Sequence, residues 1–110
     1  MTKKGIKLFK IGGSILDSGR EIKKLIDCLK KKIEPGKAIL VHGGGSAITR
    51  WLDAFGVEVE FVNGQRVTDE KSMKVVEMVL SGLINKKLVS ILNRAGYRAI
   101  GISGRDAGIA

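Results

Sequence analysis

The chain has 110 residues, 44% of them hydrophobic and 28% charged, which is typical of one globular domain and not of a disordered or fibrous chain. Its apolar runs are far shorter than the ~20 residues that span a bilayer, and no secretory signal is present, so we expect a cytoplasmic protein. The single cysteine, Cys28, excludes an intrachain disulfide and a cysteine-based metal site. A net charge of +9 indicates anionic ligands or partners without choosing among them.

The chain begins with a predicted strand, a glycine turn and a helix. Residues 5–11 alternate in character and end at Gly12-Gly13-Ser14, which predicts a first strand followed by a tight turn. From Glu21 onward apolar residues recur at helical spacing, and Ser18 stands where a capping residue is expected. Pro35-Gly36 should end this helix.

A second strand and helix repeat the arrangement. Residues 38–41 are a continuous apolar run, typical of a central strand covered on both faces, and they lead into His42-Gly43-Gly44-Gly45. Ser46 is expected to cap a short helix that Gly56 closes. Strand, helix, strand and helix in this order predict a parallel sheet with helices on both faces. The fold class is therefore α/β, a three-layer αβα sandwich with a mainly parallel sheet.

The second half of the chain predicts one short strand and two helices. Residues 57–62 should form a strand before the turn Asn63-Gly64. Thr68 is expected to cap the first helix, and Ser81-Gly82 to separate it from the second. Residues 99–102 predict a last strand, which in a parallel sheet would normally feed a crossover helix. The chain is therefore expected to be a truncated or fragmentary α/β protein whose last strand lacks its further neighbours.

Both glycine turns are predicted to lie at the carboxyl edge of the parallel sheet, where ligands bind in such folds. Glycine allows close approach of a backbone whose N–H groups can hold anionic oxygens, and Lys10 directly precedes the first turn. Neither turn matches the P-loop or dinucleotide-binding pattern. Spacing alone leaves two interpretations open, an anion site or glycines that only make tight turns.

Five segments occur in an order that resembles the amino-acid kinase family. They are Lys10–Ser14, Val41–Gly45, Phe61–Asp69, Val75–Leu80 and Asn85-Lys86. The third segment, Asn-Gly-Gln-Arg-Val-Thr-Asp within it, favours the branch of the family that phosphorylates N-acetyl-L-glutamate. The resemblance covers nearly all of this chain but only the amino-terminal part of the family's enzymes.

The resemblance implies transfer of a phosphoryl group from ATP, with Mg²⁺, to the side-chain carboxylate of N-acetyl-L-glutamate, a step of arginine biosynthesis. It implies that residues 1–110 form the amino-terminal substrate-binding part of the kinase domain, and that the carboxy-terminal nucleotide-binding part is absent. We therefore expect the chain alone to be inactive. The family's hexamers carry an amino-terminal helix that is missing here, so the resemblance implies a smaller homo-oligomer, with a dimer favoured.

The same resemblance assigns roles to residues of the two glycine turns. Lys10 corresponds to the catalytic lysine that stabilises the transferring phosphoryl group. Gly12 and Gly13 correspond to phosphate-binding residues beside it. Gly44 and Gly45 correspond to residues that hold the substrate, and no metal ligand is assigned.

Arg66 corresponds to the residue that binds the substrate α-carboxylate, for which a planar guanidinium is well suited. Without the motif, Arg66 is an ordinary surface residue of a turn. His42 is interpreted as structural, because a carboxylate nucleophile has no proton to lose to a general base. Cys28 is interpreted as a small packing residue, and Trp51 as a packing or interface residue.

Two alternative functions remain open at this stage. One is a related kinase of lysine biosynthesis whose aminoadipate or glutamate substrate is attached to an acidic carrier protein, which a basic surface would attract. The other is a non-catalytic basic binding module. An aromatic content of 5% and the lack of an RNA-binding signature argue against nucleic acid as its partner.

Overall fold

The computed structural model describes residues 5–32, 34, 36–58, 60–67 and 69–110, except the side chains of residues 66 and 67. In chain order the strands are β1 (Lys7–Ile11), β2 (Ala38–His42), β3 (Glu60–Val62) and β4 (Gln65–Val67). The α-helices are α1 (Gly19–Lys32), α2 (Ser46–Ala54), α3 (Glu70–Glu77) and α4 (Asn85–Arg94). Short 3₁₀ turns span Gly13–Asp17 and Asp106–Gly108, and a π-helical segment spans Met78–Ile84.

β1 and β2 pair in parallel, with Lys7 opposite Ala38 and Ile11 opposite His42. α1 is the crossover between them, as a parallel pair requires. The predicted α/β class with a parallel sheet is therefore confirmed. Because the two strands end in register, both glycine turns leave the sheet at the same edge.

One face of this sheet carries the hydrophobic core. Ile11 is buried there, and Phe9 and Leu40 pack against the same cluster. The first 3₁₀ turn and the helices contribute the other buried apolar side chains, Leu16, Ile26, Leu29, Ala47, Ile48, Leu52, Val75, Val79, Ile84, Leu88 and Leu92. On the opposite face Leu8 and Ile39 are exposed. Within the described ranges, the buried side chains of the helices therefore belong to one cluster with Phe9, Ile11 and Leu40 of the sheet.

The predicted helices α1 and α2 are present. α1 begins at Gly19, directly after the predicted cap Ser18, whose carbonyl accepts the Ile22 N–H at 3.0 Å. α2 begins at Ser46 itself, so the expectation that Ser46 is the cap is wrong, and Gly45 occupies the cap position. Gly45 can do so because its backbone adopts φ 53° and ψ −139°, a conformation that only glycine enters readily.

The turn Asn63-Gly64 joins β3 and β4 in an antiparallel hairpin. Both turn residues have positive φ, 53° and 76°, as a type I′ turn requires. The predicted strand over 57–62 is shorter than expected and begins at Glu60. Val57 is unavailable for pairing because its N–H donates to the Leu52 carbonyl at 2.9 Å, closing the end of α2.

α3, the π-helical segment and α4 run without a break from Glu70 to Arg94, so the expected interruption at Ser81-Gly82 is wrong. The two residues lie inside the π-helical segment, which keeps the chain helical while it absorbs the local irregularity. The predicted cap, Thr68, lies outside the described residues. Asp69 holds the cap position, and its carboxylate accepts the Ser72 N–H at 2.7 Å.

The predicted last strand over 99–102 is also wrong, because these described residues pair with no strand. Side chains of α4 bind their backbone instead. Asn93 Oδ1 accepts the Ala99 N–H at 2.8 Å, and Lys86 Nζ donates to the Gly101 carbonyl at 2.9 Å. Ile100 is 89% exposed. An open groove of about 1110 Å³ lies where a third strand would otherwise join β2.

No helix in the described part of the chain combines the length and the apolar character needed to cross a membrane.

Candidate functional site

The two glycine turns contact each other directly. A Cβ atom on Gly13 would lie 2.6 Å from the carbonyl carbon of Gly44 and 2.9 Å from the Cα of Gly45. Real Cβ atoms do not approach backbone atoms this closely, so position 13 requires glycine for contact between the turns. These glycines therefore do more than make tight turns: Gly13, Gly44 and Gly45 form a shared backbone surface.

Gly44 has a packing role in addition. It is buried, and a Cβ there would overlap the side chain of Ile48 and lie 3.5 Å from Ile84 Cδ1. Glycine at this position therefore lets α2 and the π-helical segment pack against the second turn. The second turn is thus packed on the hydrophobic core.

The surface formed by these turns offers hydrogen-bond donors to an anion. Within the described part of the chain, the N–H groups of Gly13, Gly44 and Gly45 make no backbone hydrogen bond. α2 begins directly after Gly45, so the positive end of its dipole also faces this edge of the sheet. Lys10 is exposed one residue before the end of β1, opposite Val41. Free N–H groups and an ammonium group at one sheet edge are chemically suited to hold phosphate or carboxylate oxygens.

Three side chains connect the same two turns. The Ser46 hydroxyl donates to Asp17 Oδ2 at 3.0 Å and accepts from Arg50 Nη1 at 3.1 Å. Arg50 Nη2 lies 3.6 Å from Asp17 Oδ1. We call this the Asp17–Ser46–Arg50 bridge. No local sequence pattern predicts this bridge, since the hydroxyl and the carboxylate are 29 positions apart along the chain.

His42 ends β2 beside the second glycine turn and belongs to a different network. Its Nε2 lies 3.0 Å from Asn85 Nδ2, and its Nδ1 lies 3.2 Å from the Gly43 carbonyl. Lys86 Nζ donates to Asn85 Oδ1 at 3.3 Å. An amide N–H that donates to Nε2 leaves the ring proton on Nδ1, where it can bond the Gly43 carbonyl. These bonds agree with the structural interpretation of His42. In the sequence Asn85 and Lys86 stand out only through the family motif, and their contacts with His42 and with each other are visible only in the structure.

Arg66 is not brought to the glycine turns by any described contact. It lies on β4 opposite Phe61, and its side chain is outside the described part of the chain. No described hydrogen bond or ion pair joins the β3–β4 hairpin to the two turns. The role predicted for Arg66 therefore stays a prediction.

Asp69, the last residue of the motif that contains Arg66, has a carboxylate with a lowered pKa. The Ser72 backbone N–H, and then the Ser72 side chain, hold the pKa of Asp69 below its ordinary value by binding the ionised form. Asp69 also lies at the positive end of α3, where a negative charge is favourable. It acts as a helix cap, and no described observation gives it a part in chemistry.

Two further interpretations can be compared with the structure. Cys28 is exposed, so its interpretation as a packing residue is wrong: it lies on the solvent side of α1, next to the apolar stripe and not within it. Trp51 is 41% exposed, and its ring lies 5.9 Å from that of Phe55 one turn along α2. No group of three histidine, cysteine, aspartate or glutamate side chains among the described residues could hold a metal ion.

Comparison with known proteins identifies relatives over most of the chain. The model of the amino acid kinase family matches residues 5–110. Acetylglutamate kinase of Thermoanaerobacter sp. (strain X514) is 47% identical over 100 residues, which are 90% of this chain and 33% of that protein. Acetylglutamate kinase of Sulfurimonas denitrificans is 48% identical over 101 residues, which are 91% of this chain and 36% of that protein.

A solved structure has the same fold. The crystal structure of smu.665 from Streptococcus mutans UA159 superposes with a TM-score of 0.65 at 34% sequence identity, covering 84% of this chain and 38% of that one. This chain spans about a third of the length of the curated relatives it matches: the matched residues are 33% and 36% of the two acetylglutamate kinases.

Proposed function

The chain belongs to the amino acid kinase family, and we propose that it is the substrate-binding part of a kinase that phosphorylates the side-chain carboxylate of N-acetyl-L-glutamate. The observation that carries this proposal is the contact of Gly13 with Gly44 and Gly45, which leaves free N–H groups beside Lys10 at the carboxyl edge of the sheet. The identity of 47% to an acetylglutamate kinase over most of the chain supports the choice of acceptor.

In this reaction a side-chain carboxylate oxygen attacks the γ-phosphorus of ATP, the bond to the β-phosphate oxygen breaks, and an acyl phosphate and ADP form. Nucleophile and electrophile are both anionic, so catalysis consists mainly of positioning and of positive charge where negative charge accumulates. Lys10 supplies that charge to the transferring phosphoryl group. The N–H groups of Gly12 and Gly13 bind its oxygens, and those of Gly44 and Gly45 bind the acceptor.

Arg66 binds the α-carboxylate of the acceptor in this proposal. Its support is the motif from Asn63 to Asp69, together with the bidentate geometry that a guanidinium offers to a carboxylate. The hairpin turn at Asn63-Gly64 fixes the register of β4 and so the backbone position of Arg66. Closure of the hairpin toward the glycine turns when the acceptor binds is part of the proposal.

ATP and Mg²⁺ complete the reaction as co-substrate and ion. The described residues gather no carboxylate cluster for a metal, so they do not fit a magnesium site of their own. Mg²⁺ commonly binds to substrate phosphates and water with few protein ligands, and here it would arrive with ATP. We propose that the nucleotide is bound by the part of the kinase domain that the relatives have beyond the matched third. A cytoplasmic location and a homodimer belong to the same proposal, and sedimentation equilibrium of the chain measures its oligomeric state.

Calorimetric titration of the chain with N-acetyl-L-glutamate tests the acceptor. We expect binding that is lost in Arg66→Ala and retained in Arg20→Ala, which removes an exposed arginine of α1. Free L-glutamate should bind more weakly, because it carries a charged ammonium group in place of the acetamide. Equal affinity of the two arginine variants would contradict the proposed role of Arg66, and no binding by the wild type would contradict the proposed acceptor site.

A carrier-linked acceptor is the second candidate, supported by the net charge of +9. Four lysines near the end of α1 and before β2 are exposed: Lys30, Lys31, Lys32 and Lys37. A peptide with glutamate attached through its amino group to an acidic carrier sequence would then bind tightly at low salt. Binding of this peptide together with no response to N-acetyl-L-glutamate would favour the second candidate.

A further inference from the structure

The Asp17–Ser46–Arg50 bridge lies immediately beside the contact of the glycine turns. Asp17 is the last residue of the 3₁₀ turn that begins at Gly13, and Ser46 directly follows Gly45. The side-chain bridge and the Gly13 to Gly45 contact therefore close a ring through two short backbone segments. In such a ring, a change in the length of the bridge alters the distance between the two turns.

The bridge contributes little to global stability. The side chains of Arg50 and Asp17 are 63% and 38% exposed, and ion pairs between exposed side chains are weak in water. The Ser46 hydroxyl makes the arrangement directional, because it donates to the carboxylate and accepts from the guanidinium at the same time. A weak but directional network is suited to fix local geometry and not to hold the fold together.

A separate contact keeps the first turn on the core when the bridge is removed. Lys87 Nζ, on α4, donates to the Leu16 carbonyl at 3.1 Å, and the Leu16 side chain is buried. Removal of the Ser46 hydroxyl should therefore leave the chain folded, with the 3₁₀ turn still attached to α4. What is lost is the connection between the 3₁₀ turn and α2.

We propose that Asp17, Ser46 and Arg50 are positioning residues that set the separation of the two glycine turns. Their effect reaches the bound acceptor through the N–H groups of Gly44 and Gly45 and not through contact with it. The part of this inference that concerns the acceptor rests on the proposed function. The part that concerns the distance between the turns does not.

The distance between the turns can be measured in the 110-residue chain by nuclear Overhauser effects between the Gly13 Hα and Gly45 amide protons. We expect a clear effect in the wild type, a weakened one in Ser46→Ala and Asp17→Asn, and recovery in Ser46→Thr, which restores the hydroxyl. The matched control is Ser90→Ala, an exposed serine of α4, which should resemble the wild type. Thermal midpoints should be similar in all variants.

Binding supplies the readout that a purely structural role would not change. We expect Ser46→Ala to weaken binding of N-acetyl-L-glutamate about 5-fold to 10-fold at an unchanged thermal midpoint, with recovery in Ser46→Thr, because misplacement of binding groups by a fraction of an ångström has effects of this order. An unchanged Overhauser effect in both Ser46→Ala and Asp17→Asn would overturn the inference. So would a weakened effect at unchanged affinity. If the wild type does not bind N-acetyl-L-glutamate, the proposed function fails, and the Overhauser comparison alone decides on the bridge.

Discussion

At the scale of single residues, Gly12 and Gly13 are adjacent and share a motif, yet the structure gives them different requirements. Gly12 has φ −66° and ψ 143°, a conformation open to any residue, and a Cβ there would meet only Ser14 Oγ at 4.0 Å. The second glycine turn lies directly against Gly13, and a Cβ atom on Gly13 would lie 2.9 Å from the Gly45 Cα. The need for glycine at position 13 therefore comes from contact with a distant segment.

A pair of alanine substitutions tests this difference. Gly13→Ala should destabilise the chain by about 1–3 kcal/mol, as overpacking against backbone does, because the turns must separate to admit a methyl group. Gly12→Ala should leave stability unchanged or raise it by a few tenths of a kcal/mol, since it only restricts the unfolded chain. Urea denaturation of both variants measures the free energy of unfolding. Equal destabilisation by the two substitutions would contradict the contact between the turns.

The lowered pKa of Asp69 predicts an acid-dependent loss of stability. Because the folded-state pKa lies below the ordinary value of 3.8, the capping contribution is fully present above pH 3.8 and is lost as the pH falls through the folded-state pKa. Asp69→Ala should therefore destabilise the chain at neutral pH and approach the wild type in acid. Asp69→Asn is the control, because asparagine caps helices without titrating.

Urea denaturation across this pH range measures the difference in unfolding free energy between the wild type and each Asp69 variant. A difference between wild type and Asp69→Ala that stays constant with pH would show that the carboxylate does not stabilise the helix start in its ionised form.

At the scale of elements, the helical run from Glu70 to Arg94 is the main departure from expectation. Ser81-Gly82 has the composition of a break, but Gly82 keeps a helical conformation inside the π-helical segment. Buried Val79 and Ile84 on either side of it hold the segment on the core. Tertiary packing here overrides the local preference of glycine and serine for turns.

Replacement of Gly82 by a better helix former should therefore stabilise the chain. Outside its chain neighbours and the backbone of its own helix, a Cβ there would meet no atom within 4 Å, so we expect Gly82→Ala to stabilise the chain by about 0.5–1 kcal/mol through lower backbone entropy in the unfolded state. Gly96→Ala is the matched control. Gly96 follows the end of α4 with φ 98°, so this substitution should lower the free energy of unfolding by about 1 kcal/mol. Denaturation midpoints in urea compare the two variants. Destabilisation by Gly82→Ala would mean that the segment needs glycine after all.

At the scale of the whole molecule, the sequence predicts elements that depend on neighbouring residues. It does not predict contacts between residues that are far apart along the chain. Apolar periodicity is sufficient for α1, and the dipeptide Asn63-Gly64 is sufficient for the hairpin, because each depends on neighbouring residues. The contact of Gly13 with the second turn and the hydroxyl bridge at Ser46 depend on residues about thirty positions apart. No periodicity or local motif carries that information.

The absence of a strand over the described residues 99–102 also depends on distant parts of the chain. Residues 99–102 have the composition of a buried strand, but a strand also needs a partner, and the described β2 edge beside them lines an open groove. Leu8 and Ile39, on the exposed face of the sheet, are likewise apolar side chains of strand character that remain exposed. Both features agree with a chain that spans a third of its relatives, in which apolar surface is available for more of the domain.

A full-length chimera tests whether the paired glycine turns and Lys10 support phosphoryl transfer to a carboxylate, as proposed. This chain would replace the matching third of the Thermoanaerobacter acetylglutamate kinase, with which it shares 47% identity. With ATP, Mg²⁺ and N-acetyl-L-glutamate, trapping of the acyl phosphate by hydroxylamine measures the rate. We predict an active chimera, a loss of about 10²-fold or more in Lys10→Met, and little change in Lys23→Met, which removes an exposed lysine of α1. A folded chimera without activity, or one whose rate does not change in Lys10→Met, would contradict the proposed phosphoryl-transfer role of the glycine turns and Lys10.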